Sequence, residues 1–373
     1  MTGRILKVSI ILSALLLTSC SVITPPTPDD NAALEGIIKS DNYSAEISYC
    51  DDQIKESDYI NLNTDSLKLN CSVPEEIGKY QVICIDGFQD NAELLFKNYI
   101  PSDSFDNNNI TDDNTSYPYG PIYNDEVSGL CVSVGCTGFF SYCRTSDCSV
   151  MDNTIPAFSS YVNNSNDYSK SIENALKATD GFAREFASVS GFPNILKALT
   201  VTEYSSDDSD IVEVKYSNLY KNVPIFSMMS SYNELSFEMA VLPAASAYYD
   251  IENNTVNEFT VQCGFEDYNT IETYSEIISP EKAISLFSEA LSEHLKYEAI
   301  GMELVYCPVY IDNVEQSNGI THREAAPWCN ACSYDVFELT PYWAVYIDVT
   351  PSKEIYGLIN CITGEVEFVN NRK

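Results

Sequence analysis

Histidine is almost missing from this chain, with two in 373 residues, His294 and His322. That scarcity excludes metal centres built from several imidazoles and leaves a histidine-dependent nucleophile only two places to find its base. Positive charge is sparse too. Against 55 Asp and Glu stand 20 Lys and Arg, a formal charge of −35, and no stretch gathers the cations into a patch able to neutralise phosphates. Nucleic acid is thereby excluded as a partner, and electrostatic adsorption to an anionic membrane is opposed. The chain also has no G-x-S-x-G elbow, no H-E-x-x-H helix and no glycine loop suited to phosphate, so it implies no cofactor. Apolar runs are short. The uncharged stretch Val127 to Cys143 is broken by Gly129, Gly135 and Gly138, and Leu130, Val132 and Val134 alternate with smaller residues as in a strand.

What is present begins at the N-terminus. Arg4 and Lys7 form a basic n-region, and Val8 to Leu17 is an apolar stretch of about ten residues, too short to cross a hydrocarbon core of about 30 Å. It runs into Leu17-Thr18-Ser19-Cys20, which resembles the lipobox of bacterial lipoproteins. The resemblance implies cleavage before Cys20, a thioether-linked diacylglycerol on its sulfur and an acyl chain such as palmitate on its amine. Two or three buried chains suffice for stable anchoring. The expected address is therefore the extracytoplasmic face of the cell membrane, held by covalent lipid. Removing residues 1–19 takes away Arg4 and Lys7 and no acid, which leaves the remainder still more negative. Residues 20–41, with Pro25, Pro26 and Pro28, read as the acylated cysteine and a spacer.

Residues 42–165 read as a β-rich N-terminal region, with strands at Leu67 to Cys71, Tyr80 to Asp86, Glu93 to Tyr99 and Leu130 to Tyr142 and a polar loop from Pro101 to Pro118. Helices become legible beyond Asn166. One is predicted over Lys170 to Ser190, with Ser169 as N-cap and Gly191 at its end; a second is predicted from Pro280 to Tyr297, with Ser279 as N-cap. After each come strands and a hairpin, turning at Asn253-Asn254 in the first and at Thr363-Gly364 in the second. The repeated order predicts an α+β fold, in which units at 166–263 and 264–373 each lay one helix across an antiparallel sheet.

Four segments carry a second resemblance: Ser279-Pro280-Glu281-Lys282-Ala283, Leu304-Val305-Tyr306-Cys307-Pro308, Leu339-Thr340-Pro341-Tyr342-Trp343-Ala344-Val345 and Asn360-Cys361-Ile362-Thr363-Gly364-Glu365-Val366. Together they resemble the C-terminal half of PepSY-like domains, including the YycI-type extracytoplasmic regulators of sensor kinases. The resemblance implies two PepSY-like units that bind and regulate without catalysis, and it supplies no catalytic residues.

Besides Cys20 the chain has twelve of its 13 cysteines. An even number in an exported chain favours disulfides. Cys131, Cys136, Cys143 and Cys148 form one local group of candidates, and Cys329 and Cys332 form another. Trp328-Cys329-Asn330-Ala331-Cys332 invites a redox reading, but the alternating Tyr334 to Leu339 that follows is strand-like, whereas a reactive thiolate of this type needs a helix N-terminus. Cys307, His322, Cys329 and Cys332, with Cys361 as a substitute for Cys307, are a chemically sensible tetrahedral zinc set. The leading expectation is a non-catalytic lipoprotein that recognises a protein, peptide or envelope component. The alternatives are an envelope hydrolase working through carboxylates, which are too numerous here to single out a pair, and a metal- or redox-responsive sensor at the Cys307 and His322 group.

Overall fold

A computed structural model describes residues 36–39, 54, 59, 61–69, 74, 76–85, 87–113, 120–144, 156–162, 168–205, 210–226, 245–291, 296–311, 336–348 and 354–370. The chain divides into Met1–Ile37, of which only two residues are described, and Ile38–Lys373, which contains everything below.

Alternation builds the larger of two sheets. Its strands are β4 (Ile110–Asp113), β5 (Gly120–Asp125), β6 (Leu130–Val134), β7 (Phe140–Cys143), β8 (Pro156–Tyr161), β9 (Ile195–Ser205), β10 (Asp210–Tyr220), β11 (Val223–Pro224), β12 (Ala245–Asp250) and β13 (Thr255–Val261). They run in the order β4-β5-β6-β7-β13-β12-β10-β9-β8, with β11 on β10, and every pairing is antiparallel. Val132, Tyr142, Phe259, Ala247, Val214 and Val201 point to one face and are buried there. Helices α1 (Ala92–Tyr99) and α2 (Lys170–Ser190) cover that face, α2 through Ile172, Ala175, Ala183 and Phe186. The Ser169 hydroxyl accepts from the Ile172 N–H at 3.3 Å to start α2, and Gly191 at φ 68° ends it.

The second sheet is assembled from distant parts of the chain. It contains β1 (Leu62–Asn63), β2 (Lys68–Leu69), β3 (Ile77–Cys84), β14 (Phe265–Tyr274), β15 (Tyr297–Ile311), β16 (Val336–Asp348), β17 (Glu354–Asn360) and β18 (Val366–Asn370). The main path is β14-β3-β16-β15-β1, with β17 and β18 continuing from β16 and β2 lying on β15. Helix α3 (Pro280–Ala290) packs on β16, β17 and β18, burying Ala283, Ile284 and Phe287, and the Trp343 indole N–H donates to the Ile278 carbonyl at 2.9 Å beside it.

This architecture overturns the predicted β-rich region followed by two PepSY-like helix-on-sheet units. There are two large sheets, and the early strands are woven into both. β3 lies between β14 and β16, while β7 pairs with β13. The helix-then-hairpin order does recur along the chain, but edge-to-edge pairing over long separations decides which strands share a sheet, and periodicity carries no information about that. Three local expectations also change. Glu93 to Tyr99 is helical in α1 because Ala92, Leu95 and Phe96 are buried at helical spacing. The second helix ends at Ala290, where Leu291 turns extended and is itself buried. Ile110–Asp113 within the supposed polar loop is a strand.

Gly357 of β17 marks how closely α3 approaches the sheet. A Cβ there would stand 2.1 Å from the Phe287 ring, whereas one at Gly181 of α2 would meet nothing within 4 Å. Gly357→Ala is therefore expected to lower unfolding stability by about 1–3 kcal/mol. Gly181→Ala should raise it by roughly 0.5–1 kcal/mol. Urea denaturation of the two variants checks both signs.

Candidate functional site

β14 forms one end of the second sheet, paired with β3 on one side only; among the described residues no strand covers its outer edge. Its middle is unusually bare. Residues 266–273 are all exposed, with Tyr268 at 46% and Ile271 at 43%. Glu266, Asp267 and Glu272 give the strand three acids and it has no base. Two bulges interrupt its register with β3, one between Asp267 and Asn269 and one between Thr270 and Glu272.

The start of this edge is already occupied by something shaped like a strand. Asn194, in the turn after α2, is 7% exposed; its side-chain oxygen accepts from the Phe265 N–H at 2.7 Å and its amide donates to the Phe265 carbonyl at 3.0 Å. The Ile85 N–H donates to the Gly264 carbonyl at 3.0 Å while the Gly264 N–H donates to the Thr137 carbonyl at 2.9 Å, so the residue 264 carbonyl faces the β3 side and Phe265, one step on, turns its backbone groups outward. The Asn194 amide thus meets Phe265 as the backbone of a neighbouring strand would. Asp267 is two residues further along, and its N–H and C=O face outward by the same alternation.

The face of the larger sheet turned away from α1 and α2 is polar. One file crosses it by direct register from Cys131 through Cys143, Glu258 and Tyr248 to Glu213. Glu213 is buried; it accepts from the Tyr204 and Tyr248 hydroxyls, each at 3.0 Å, and lies 3.5 Å from the Lys215 ammonium. Burial and the Glu213 charge push both tyrosines up. A second buried carboxylate, Glu303 of β15, accepts from the Tyr346 hydroxyl and stands 4.0 Å from Lys197 of β9, joining the two sheets. Burial raises the Glu303 carboxyl above its ordinary 4.5, with Lys197 and Tyr346 pulling the other way. Each carboxylate thus has its own partners, two tyrosines and a lysine at Glu213 and one tyrosine and a lysine at Glu303.

Of the residues singled out from sequence, Cys131 lies on β6 and Cys143 on β7, directly opposite one another, and Cys136 lies in the turn between them. Cys307 is fully buried on β15 in an apolar cluster with Phe226, Val305 and Tyr342, and burial holds its thiol well above the ordinary range. Cys361 is buried under α3. Cys20, Cys148, His294, His322, Cys329 and Cys332 lie outside the described residues, so of the zinc set only Cys307 and its substitute Cys361 are described. Among the described residues no three metal-ligating side chains converge. No described helix is long and apolar enough to cross a membrane. The β14 edge and Asn194 were missed from sequence. The run Thr270, Ile271, Thr273, Tyr274 carries β-propensity, the one signal by which a strand there could have been found, but nothing local marks Asn194, whose partner is 71 residues away.

These features define a class by fold: one antiparallel sheet backed by two helices, and a second, antiparallel but for the two short parallel strands β1 and β2, backed by one. No family model matches the chain, and no curated protein matches it. Among solved structures it is similar to an uncharacterized protein from Eubacterium rectale ATCC 33656, determined at 1.45 Å, with a TM-score of 0.53 and 13% identity, covering 82% of this chain and 92% of that one. The likeness is one of fold.

Two outcomes follow from the geometry. Asn194→Ala leaves the Phe265 N–H and C=O without their partner and should cost about 1–3 kcal/mol in chemical denaturation. Glu303 holds its proton more tightly folded than unfolded, so its contribution to stability falls as pH rises from the ordinary 4.5 through the raised folded value. Glu303→Gln should flatten that part of the stability–pH curve, read as denaturation midpoints across the acidic to neutral range.

Proposed function

We propose that the protein is a lipid-anchored extracytoplasmic binding protein that holds an extended, cationic segment of a partner protein along the outer edge of β14, without catalysis. The observation that carries this reading is the edge itself: eight consecutive exposed residues, acidic, and begun at Phe265 by an amide that imitates a strand. An added strand gains main-chain hydrogen bonds from the edge, and alternate side chains supply selectivity. Charge decides among occupants. Glu266, Asp267 and Glu272 would repel the same strand of a second copy, and with the bulges they guard against self-pairing, while a basic strand is drawn in. The anchor is supported by Leu17-Thr18-Ser19-Cys20 behind its basic and apolar leader.

A labelled ten-residue peptide of alternating lysine and valine, titrated against the protein, is the direct probe. Binding is expected to weaken as salt shortens the screening length, to slow hydrogen exchange of the 265–274 amides, and to weaken about fivefold in Glu266→Lys/Glu272→Lys. A glutamate–valine peptide of equal length should not bind. No binding of the cationic peptide, or binding untouched by the charge reversal, would sink the edge as the site. The anchor is checked separately: Cys20→Ala should lose labelled fatty acid and move from the membrane to the soluble fraction.

A further inference from the structure

The second feature of this molecule with chemical consequences is a pair of sulfurs on the polar face of the larger sheet. β6 and β7 are antiparallel, and their register runs without interruption from Val134 opposite Phe140 to Cys131 opposite Cys143. The Gly135 N–H donates to the Phe139 carbonyl at 2.8 Å. Alternation then makes Ser133 with Ser141, and Cys131 with Cys143, the pairs that face each other across hydrogen bonds, at a Cα separation of about 5.5 Å. That separation lies within the span of about 4.4–6.8 Å between the Cα atoms of a disulfide, and the Cβ atoms, which stand up to about 5.5 Å apart in a pair of this kind, must draw in to about 3.5–4.5 Å for the bond to close. Both side chains leave the sheet on the same side, because Val132 and Tyr142 between them are buried on the other. Both cysteines are half-buried, so a small oxidant reaches them, and the Cys131 sulfur lies 4.0 Å from the Ser133 hydroxyl.

We propose that Cys131 and Cys143 form a cross-strand disulfide that clips the β6–β7 hairpin. The remaining cross-strand neighbours of the pair are Asn124 beside Cys131 and Glu258 beside Cys143, so each is the other's one cross-strand sulfur among the described residues. Cys136 does not compete from its place in the turn, more than about 13 Å along the hairpin from Cys131. The reaction needs a disulfide oxidant, such as oxidised glutathione or an extracytoplasmic thiol oxidoreductase. One cysteine thiolate attacks the oxidant to give a mixed disulfide and release one reduced thiol. The second cysteine then attacks its partner's sulfur and expels the other half as a second thiol. Two S–H bonds are lost and one S–S bond forms; two electrons and two protons pass to the oxidant. This inference stands apart from the edge-binding reading, since neither sulfur lies on β14.

The test is non-reducing peptide mapping of the full chain after equilibration with oxidised glutathione and alkylation of remaining thiols. Chymotryptic cleavage after Phe139 and Tyr142 separates Cys143 from Cys131 and Cys136. The expected product is a linked pair of peptides about 2 Da lighter than their sum, with fragmentation placing the bond at Cys131. Cys136→Ser should keep the link, and Cys131→Ser should abolish it. Cys143 joined to Cys136 or Cys148, or Cys131 and Cys143 both alkylated at every glutathione ratio, overturns the proposal. The wild-type map decides the matter even if a variant fails to fold.

Discussion

Antiparallel register is the constraint on which the molecule depends. Moving β6 by one residue on β7 would carry Val132 out of the core and bring Cys131 under the helices. The same holds at β10, where Val212, Val214 and Tyr216 are buried against α2 while Glu213, Lys215 and Ser217 share the opposite face. Registers are held by particular contacts as well as by hydrophobicity. Asn254 at φ 52° closes the β12–β13 hairpin, and the adjacent Lys221 and Asn222, both at positive φ, close the turn from β10 to β11. Once these rows are set, the polar pairs follow from position.

The junction between the sheets combines polar contacts with apolar packing, the Tyr220 ring lying 5.2 Å from that of Tyr80 and 5.8 Å from that of Tyr306. β11 delivers Ile225 and Phe226 to β15, where the Phe226 N–H donates to the Tyr306 carbonyl at 2.8 Å. The Asn218 amide donates to the Cys263 carbonyl at 3.3 Å, and Lys197 stands by Glu303. Amide groups and one ion pair therefore join the two sheets alongside the apolar contacts of Tyr220, Val223, Ile225 and Phe226. A buried pair of this kind adds little stability over an apolar contact, but breaking one member leaves the other charge stranded.

Much of the local structure was legible. Ser169 and Gly191 bounded α2, Ser279 with Pro280 started α3, and Asn253-Asn254 located a hairpin, because caps and turns are written in adjacent residues. The sheet partners were not. β3 reads as a strand, yet nothing in Ile77–Cys84 says that its neighbours come from 265–274 and 336–348. β9 went unread and β14 escaped because exposed Glu, Asp, Asn and Thr hide its alternation, and α1 was mistaken because a helix of 8 residues offers barely two turns of pattern. Cysteine spacing brought Cys131 and Cys143 into one group, whereas only register set them face to face.

The interleaving of β3 has a kinetic side. A chain emerging from its N-terminus holds β3 without either neighbour until about 180 further residues have followed, and its second partner comes later still. Until then a hydrophobic strand carrying Ile77, Tyr80 and Val82 has two open edges. High contact order of this sort makes for slow closure of the second sheet and for a long interval in which nascent chains can pair wrongly with one another. Productive folding of this protein therefore turns on keeping unfinished chains apart until β14 and β16 arrive.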